Sequence, residues 1–303
     1  MITQPSTASR RREPSRFGPG AFGSRLPARP RIVHDAGVRL SAKHVAERAL
    51  RRQGAAADND RLCDHPTPVS RYFALVPAAG FGARMGGALP KQYLPLMDHS
   101  LLYHAARPLV DAPFIARVFL LLSPTDERYR RLDWRAFGAR LTALHCGGET
   151  RAASVLNGLR AVRGEVAGDD WVLVHDAARP CLIRQDLDRL ITGISQSPTG
   201  GLLAAPVTET LKRSDAAKLV AETVERSSLW RAQTPQMFRY GRLCTALDTA
   251  LAARRFPTDE AQALEWVGDQ PRLIEGSPGN LKVTRPEDLL MAAALLQARG
   301  DKA

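Results

Sequence analysis

The chain has 303 residues, with 43 Lys and Arg against 31 Asp and Glu, 44% hydrophobic residues and 6% aromatic ones, an ordinary globular composition tilted to a formal charge of +12. The length suits one large domain or two small ones, and no apolar run approaches the roughly 18 residues that a membrane-spanning helix needs. Four scattered cysteines (Cys63, Cys146, Cys181, Cys244) with no C-x-x-C pair argue against a disulfide framework or a structural zinc site. They fit a reducing compartment, the cytoplasm first and a plastid second.

Residues 1–70 hold thirteen Lys and Arg (twelve Arg and Lys43) and six acids, so more than half of the excess charge lies in the first quarter of the chain. That quarter carries Arg10-Arg11-Arg12, then Gly18-Pro19-Gly20 and the prolines between Pro27 and Pro30, with few large apolar residues. Such a segment cannot bury enough surface to offset its ordering entropy. It is expected to be a disordered basic extension, with one short helix over Ala42–Arg52. Three explanations stand side by side: an upstream start codon or dispensable extension, a tail for nucleic acid or an anionic surface, and an organelle transit peptide. No apolar segment follows the arginines, so a secretory signal does not fit.

From residue 71 to about 300 the texture is that of one domain. In chain order the pattern predicts a strand at Phe73–Pro77, a helix at Leu101–Val110, a strand at Val118–Leu122 and a helix at Glu127–Phe137. A strand at Leu141–Leu144, a helix at Ala152–Val162, a strand at Trp171–His175 and a helix at Gln185–Ile194 follow. Then come a strand at Leu202–Val207, helices at Gly241–Ala253 and Ala261–Val267, a strand at Leu273–Glu275 and a helix at Pro286–Gln297. Short strands buried on both faces and alternating with helices give an α/β fold: a Rossmann-like, mostly parallel twisted sheet with helices on both faces. Residues 207–235 break the alternation. Two polar, β-rich runs around Ser214–Lys218 predict a protruding hairpin arm, which alone is only marginally stable. Packing against a second subunit, as a homodimer, answers that; folding back over its own sheet is the alternative.

Ligands of such sheets bind at the carboxyl ends of the strands. The first strand runs straight into Ala78-Ala-Gly80-Phe-Gly82-Ala-Arg84-Met-Gly86-Gly87-Ala-Leu-Pro90-Lys91-Gln92, a loop with four glycines, two basic residues and no acid. Glycines let backbone N–H groups approach phosphate oxygens, Arg84 offers a planar fork and Lys91 a mobile point charge. The spacing matches neither the Walker loop nor the dinucleotide fingerprint. Asp176, at the carboxyl end of a buried strand, is a candidate Mg²⁺ ligand, because that ion prefers carboxylate and phosphate oxygens. His175 beside it points the other way along the pleat. Taken alone, Gly148 to Ser154 reads as a helix start with ordinary acidic capping, and Thr258 in Pro257-Thr-Asp-Glu260 as an N-cap, with Asp259 and Glu260 as capping acids. The only Asp-x-Asp strings, Asp58-Asn-Asp60 and Asp186-Leu-Asp188, sit in the extension and on a helix, which gives a glycosyltransferase little support. The domain shows no basic-aromatic interleaving, so a nucleic-acid-binding role would rest on the extension alone.

Together the loop from Ala78 to Met85 and the Pro90-Lys-Gln-Tyr-Leu string resemble the signature of nucleotidyltransferases that join a nucleotide to a sugar or polyol phosphate. With Gly147-Gly-Glu-Thr-Arg-Ala-Ala-Ser154, His175-Asp-Ala-Ala-Arg-Pro180 and Asn280-Leu-Lys-Val-Thr-Arg-Pro-Glu-Asp288, residues 72–298 resemble the 2-C-methyl-D-erythritol 4-phosphate cytidylyltransferase family of the non-mevalonate isoprenoid pathway. The resemblance implies in-line attack of the acceptor phosphate on the α-phosphorus of CTP with release of pyrophosphate, aided by Mg²⁺. It implies that Arg84 and Lys91 stabilise the transition state, and that Ala78, Ala79, Gly80, Gly82, Gly148, Glu149, Ser154, Asp176 and Ala177 bind the nucleotide. Thr234, Thr258 and Lys282 would hold methylerythritol phosphate from the subunit's own side, with Thr210 and Arg226 reaching it from the partner's arm. Many members of the family it resembles carry Asp where Glu149 and Ala153 stand, which leaves a side-chain role open at both. A cytidylyltransferase for another polyol phosphate, such as ribitol 5-phosphate, is the enzymatic alternative.

Overall fold

All six apolar runs read as strands pair into one sheet in the computed structural model, which describes residues 70–80 and 89–300. The expectations for residues 1–69, and for Gly82 and Arg84, lie outside the described residues. The chain divides between Asp64 and His65, and every described residue belongs to the second unit. In chain order the elements are β1 (Tyr72–Pro77), β2 (Pro95–Leu96), β3 (His99–Ser100), α1 (Leu101–Val110), β4 (Ile115–Leu121), β5 (Leu141–Leu144), α2 (Arg151–Ala161), β6 (Trp171–Val174) and α3 (Arg184–Ile194). Then follow β7 (Gly201–Pro206), β8 (Leu211–Ser214), β9 (Val220–Val224), β10 (Trp230–Arg239), α4 (Tyr240–Ala252), α5 (Glu260–Trp266), β11 (Arg272–Glu275) and α6 (Pro286–Ala298).

The main sheet runs in the order β11-β7-β10-β6-β1-β4-β5. Every pair is parallel except those made by β10, which is antiparallel to both β6 and β7. Strand alternation distributes the apolar side chains to two faces. Ala74, Val76, Val118, Leu120, Trp171 and Leu173 pack with α1 and α3; Phe73, Leu75, Phe119, Leu121, Val172 and Val174 pack with α2, α4 and α5. Each fully buried Leu, Val or Phe contributes on the order of 1.5–3 kcal/mol by leaving water, which is why the central strands carry almost no polar side chains. A smaller cluster joins Leu96, Leu101, Ala178, Cys181 and Val283 to Ala292 and Leu296 of α6. It ties the C-terminal helix to the loop that follows β6.

Two predicted elements differ. The helix expected over Glu127–Phe137 is replaced by two 3-10 turns, Tyr129–Arg131 and Arg135–Arg140. Asp126 accepts from the N–H groups of Arg128 and Tyr129, Leu132 is extended between the turns, and Gly138 adopts a φ of 50°. The helical spacing is met instead by stacking Tyr129 on Trp134, with ring centroids 4.9 Å apart. The hairpin is also shorter than expected: β8 and β9 form their own two-stranded sheet within Leu211–Val224, whereas Trp230 onward belongs to β10 of the main sheet. Pro235 is tolerated in so central a strand because the ladder to β7 shifts register between Ala232 and Gln236. β10 pairs with β6 only from Gln236 onward.

Candidate functional site

Chain order places β4 and β5 on one side of β1 and β6 on the other, so the switch point of the sheet lies between β1 and β6. The segments leaving these strands continue the hydrogen-bond ladder past the strand ends. Ala78 N–H donates to Leu121 O at 2.8 Å, Gly147 N–H to Leu122 O at 2.8 Å, and His175 N–H to Leu75 O at 2.9 Å. A cleft of about 450 Å³ opens above them. Of the residues singled out from the sequence, Ala78, Ala79, Gly80, Lys91, Gly148, Glu149, Ser154, Asp176, Ala177 and Lys282 line it. A larger hollow of about 700 Å³ between α1, α3 and α6 contains none of them.

Lys91 begins a 3-10 turn whose next two side chains anchor it. Buried Gln92 donates to Ala78 O at 2.7 Å, and the Tyr93 hydroxyl donates to Asp126 Oδ2 at 2.8 Å. Lys91 Nζ itself donates to Val283 O at 3.3 Å. Opposite, Thr150 caps α2 by accepting from Ala153 N–H, and the Ser154 hydroxyl donates to Thr150 O at 2.9 Å while accepting from Gly148 N–H at 3.0 Å. In this chain Ser154 therefore fixes the Gly148 peptide. Gly147 is required by close approach, since a Cβ there would stand 2.3 Å from Ala79 Cβ and 2.9 Å from Leu122 O.

Asp176 lies at the floor of the cleft, buried, with three cations around it. Arg151 Nε lies 3.0 Å from Oδ1, while Lys282 Nζ at 2.8 Å and Arg179 Nε at 3.8 Å face Oδ2. Burial works against ionisation of this carboxyl, but the charges of Arg151 and Lys282 and the Lys282 hydrogen bond outweigh it and hold Asp176 well below the usual carboxylate range. Arg179 also donates to Asn280 O at 2.7 Å and Ala232 O at 3.1 Å, bracing the loop as well as meeting Asp176. His175 is fully buried and hydrogen-bonded to Thr234 Oγ1 and Arg179 O, so it is no general base of the cleft.

The acceptor-side residues are only partly brought together. Thr234, expected to contact substrate, is instead buried, its hydroxyl shared between His175 Nδ1 and Asp176 N–H. Thr258 is exposed outside the cleft, and the cap of α5 is Asp259, which accepts from Gln262 N–H. Thr210 and Arg226 flank the hairpin, exposed and 3.4 Å apart (Arg226 Nη1 to Thr210 Oγ1), away from the cleft of their own chain. Glu260 is not a capping acid free at a helix end. It is fully buried and accepts from Arg151 Nη1 at 2.6 Å and Nη2 at 3.0 Å. Burial raises its pKa, against the pull of Arg151. Arg151 and Glu260 are thus members of the site that sequence reasoning passed over, although Arg151 stands inside the Gly147–Ser154 string.

The donors fit a hard divalent ion in one limited way. Among the described residues no three His, Cys, Asp or Glu side chains converge, and of the two acids that line the cleft, exposed Glu149 and buried Asp176, only Asp176 stands at the end of a strand, as one donor. Such a donor suits an ion that keeps most of its ligands from phosphate and water.

Comparison with known proteins gives one consistent result. Residues 72–298 match the family described as 2-C-methyl-D-erythritol 4-phosphate cytidylyltransferase. A relative of that name from Azoarcus sp. (strain BH72) is 54% identical over 229 residues, covering 76% of this chain and 95% of the relative. One from Dechloromonas aromatica (strain RCB) is 52% identical, covering 76% and 99%. Among solved structures, the enzyme of that name from Francisella tularensis superposes with a TM-score of 0.63 at 34% identity, covering 75% of this chain and 100% of the other.

Proposed function

Because the chain belongs to the 2-C-methyl-D-erythritol 4-phosphate cytidylyltransferase family, we propose that the cleft between β1 and β6 is where it transfers CMP from CTP to 2-C-methyl-D-erythritol 4-phosphate, giving 4-CDP-2-C-methyl-D-erythritol and pyrophosphate. The observation that carries the placement is the convergence of Ala78–Gly80, Lys91, Asp176 and Lys282 on one cleft at the switch point. A phosphate monoester is largely ionised near neutral pH, so the attacking oxygen needs no general base. The barrier is electrostatic, and positioned cations and backbone dipoles lower it.

In this reading the N–H groups of Ala79 and Gly80 receive triphosphate oxygens, and Lys91 meets the charge that builds on the α-phosphate and the leaving oxygen. The Gly148–Glu149 backbone, held by Ser154, faces the base, and Ala177 lies near the ribose. Lys282, oriented by Asp176, receives the acceptor phosphate. Mg²⁺ bound with the nucleotide would neutralise triphosphate charge, and Asp176 is the residue that would hold or orient it. The chain acts as a homodimer, in which Thr210 and Arg226 of one arm serve the acceptor side of the other subunit's cleft. The arm's exposed Leu219 and Val220, 66% and 65% accessible, support that docking. A cytoplasmic setting suits this chemistry, and no helix among the described residues is long and apolar enough to cross a membrane.

Turnover with CTP, Mg²⁺ and either methylerythritol phosphate or ribitol 5-phosphate tests the acceptor; activity confined to the ribitol compound would overturn the choice. Omitting the divalent ion should abolish turnover. Mixing inactive Lys91→Ala and Arg226→Ala chains tests the arm. Random reassociation of a twofold dimer should restore up to about a quarter of wild-type activity if arms cross between subunits, and none if each serves its own cleft.

A further inference from the structure

The ion-pair group behind the cleft contains a buried acid that the transfer as described does not use. Glu260 takes a hydrogen from each terminal nitrogen of Arg151, at 2.6 and 3.0 Å, and the guanidinium meets Asp176 Oδ1 through Nε alone, at 3.0 Å. Asp176 Oδ2 stays with Lys282 at 2.8 Å. The seat of Glu260 is itself built: Gln236 accepts from Ala261 N–H at 2.8 Å and donates to Asp259 at 2.9 Å, fixing the first turn of α5. A guanidinium with its fork unclaimed prefers to take both oxygens of a carboxylate. On Asp176 that geometry would compete with Lys282 for Oδ2.

We propose that Glu260 is a positioning residue for nucleotidyl transfer. By occupying the Arg151 fork it leaves Asp176 an oxygen with which to orient Lys282. The proposal rests on the transferase reading of the cleft. The acid acts through Arg151 and touches no substrate, so its effect falls on the acceptor side rather than on nucleotide affinity.

Three chains assayed with CTP and methylerythritol phosphate decide it: wild type, Glu260→Gln, and the double variant Glu260→Gln with Arg151→Gln. Glu260→Gln is expected to lower kcat and raise the acceptor KM by about tenfold each, with the CTP KM changed less than about threefold. Removing the freed guanidinium in the double variant should return the acceptor KM to within about threefold of wild type, a recovery that a purely structural role would not give. Kinetic constants of folded Glu260→Gln within about twofold of wild type, or a double variant no better than the single one, would overturn the proposal. Should Glu260→Gln not fold, the double variant still decides, because it buries no unpaired charge; an acceptor KM raised about tenfold in it overturns the proposal. Wild-type chain without CMP transfer would instead overturn the transferase reading itself, and this inference with it.

Discussion

The proton positions around His175 follow from which partners can only accept. Arg179 O is a carbonyl, so His175 Nε2 carries the proton toward it at 3.0 Å; Nδ1 then accepts from the Thr234 hydroxyl at 2.9 Å, and that oxygen accepts from Asp176 N–H at 3.0 Å. This neutral relay fixes the backbone of Asp176 and engages the Thr234 hydroxyl proton. Burial pushes the His175 pKa down to about 4. The unfolded chain takes up that proton near pH 6.5, so the contribution to stability is complete above about 6.5 and drains away as the pH falls toward 4, by about 3 kcal/mol in all. Urea unfolding of the chain without nucleotide or divalent ion between pH 7.5 and 4 should show this fall, and His175→Gln should flatten it; an equally steep fall in the variant would assign it elsewhere. Lys91 belongs to the same scale. Lys91→Ala should lower kcat by about 10²–10³ while leaving the CTP KM within a few-fold, the pattern of a charge that acts mainly on the transition state; a large CTP KM change with kcat intact would make it a ground-state contact. These single residues were legible in the sequence because Lys91, Asp176 and Lys282 sit in short contiguous strings. The Arg151–Glu260 pair was not, since its partners are 109 positions apart and an acid opening a helix resembles an ordinary cap.

At the scale of elements, the strands of the sheet's parallel core were readable because burial on both faces leaves continuous apolar runs, as in Phe73–Val76 and Trp171–Val174. β10 was hidden because polar residues and Pro235 interrupt it, and only its displaced register against β7 reconciles them with a central position. The hairpin was visible as a change of texture, but its end was not, since nothing local separates Arg226 from the strand that begins at Trp230. The loops over the strand ends matter most to function, and they are joined by close contact. The loop after β5 meets the loop after β1 at Gly147 and Ala79. Gly147→Ala forces a methyl into that contact, with the Leu122 carbonyl closing the other side, so the backbone must shift rather than a flexible side chain. We expect a loss of roughly 1–3 kcal/mol in stability, typical of overpacking, together with a raised CTP KM because both displaced loops line the cleft proposed for the nucleotide. Thermal unfolding and steady-state kinetics on the same preparation check both. A destabilised variant with unchanged CTP KM would separate the packing of these loops from nucleotide binding.

For the whole molecule, the larger part of the excess charge and the cleft occupy different stretches of chain. Residues 1–70 carry thirteen Lys and Arg and six acids, whereas the family match runs over 72–298 and every residue lining the cleft lies between Pro77 and Lys282. The junction is marked by contacts that begin at the last residue of the extension. Arg71 N–H donates to Asp170 Oδ1 at 2.8 Å, the Arg71 guanidinium pairs with Asp170 Oδ2 at 2.8 Å, and Arg239 Nη1 donates to Ser70 Oγ at 2.8 Å. Asp170 in turn accepts from Ala167 N–H at 2.8 Å, which secures the entry to β6 and hence the approach to Asp176. A chain beginning with Met followed by Ser70 keeps all of these bonds, whereas one beginning at Tyr72 keeps β1 but loses the Arg71–Asp170 pair and frees Asp170 in a largely buried position. The first truncation is therefore expected to retain kcat and both KM values within about twofold, the second to lose roughly 1–3 kcal/mol of stability from the unpaired acid. Assays of both chains beside the full-length protein, at matched ionic strength because the shorter chains lose much of the basic excess, measure the two effects separately. A drop of about tenfold in kcat/KM on removing residues 1–69 alone would show that the basic extension takes part in the reaction.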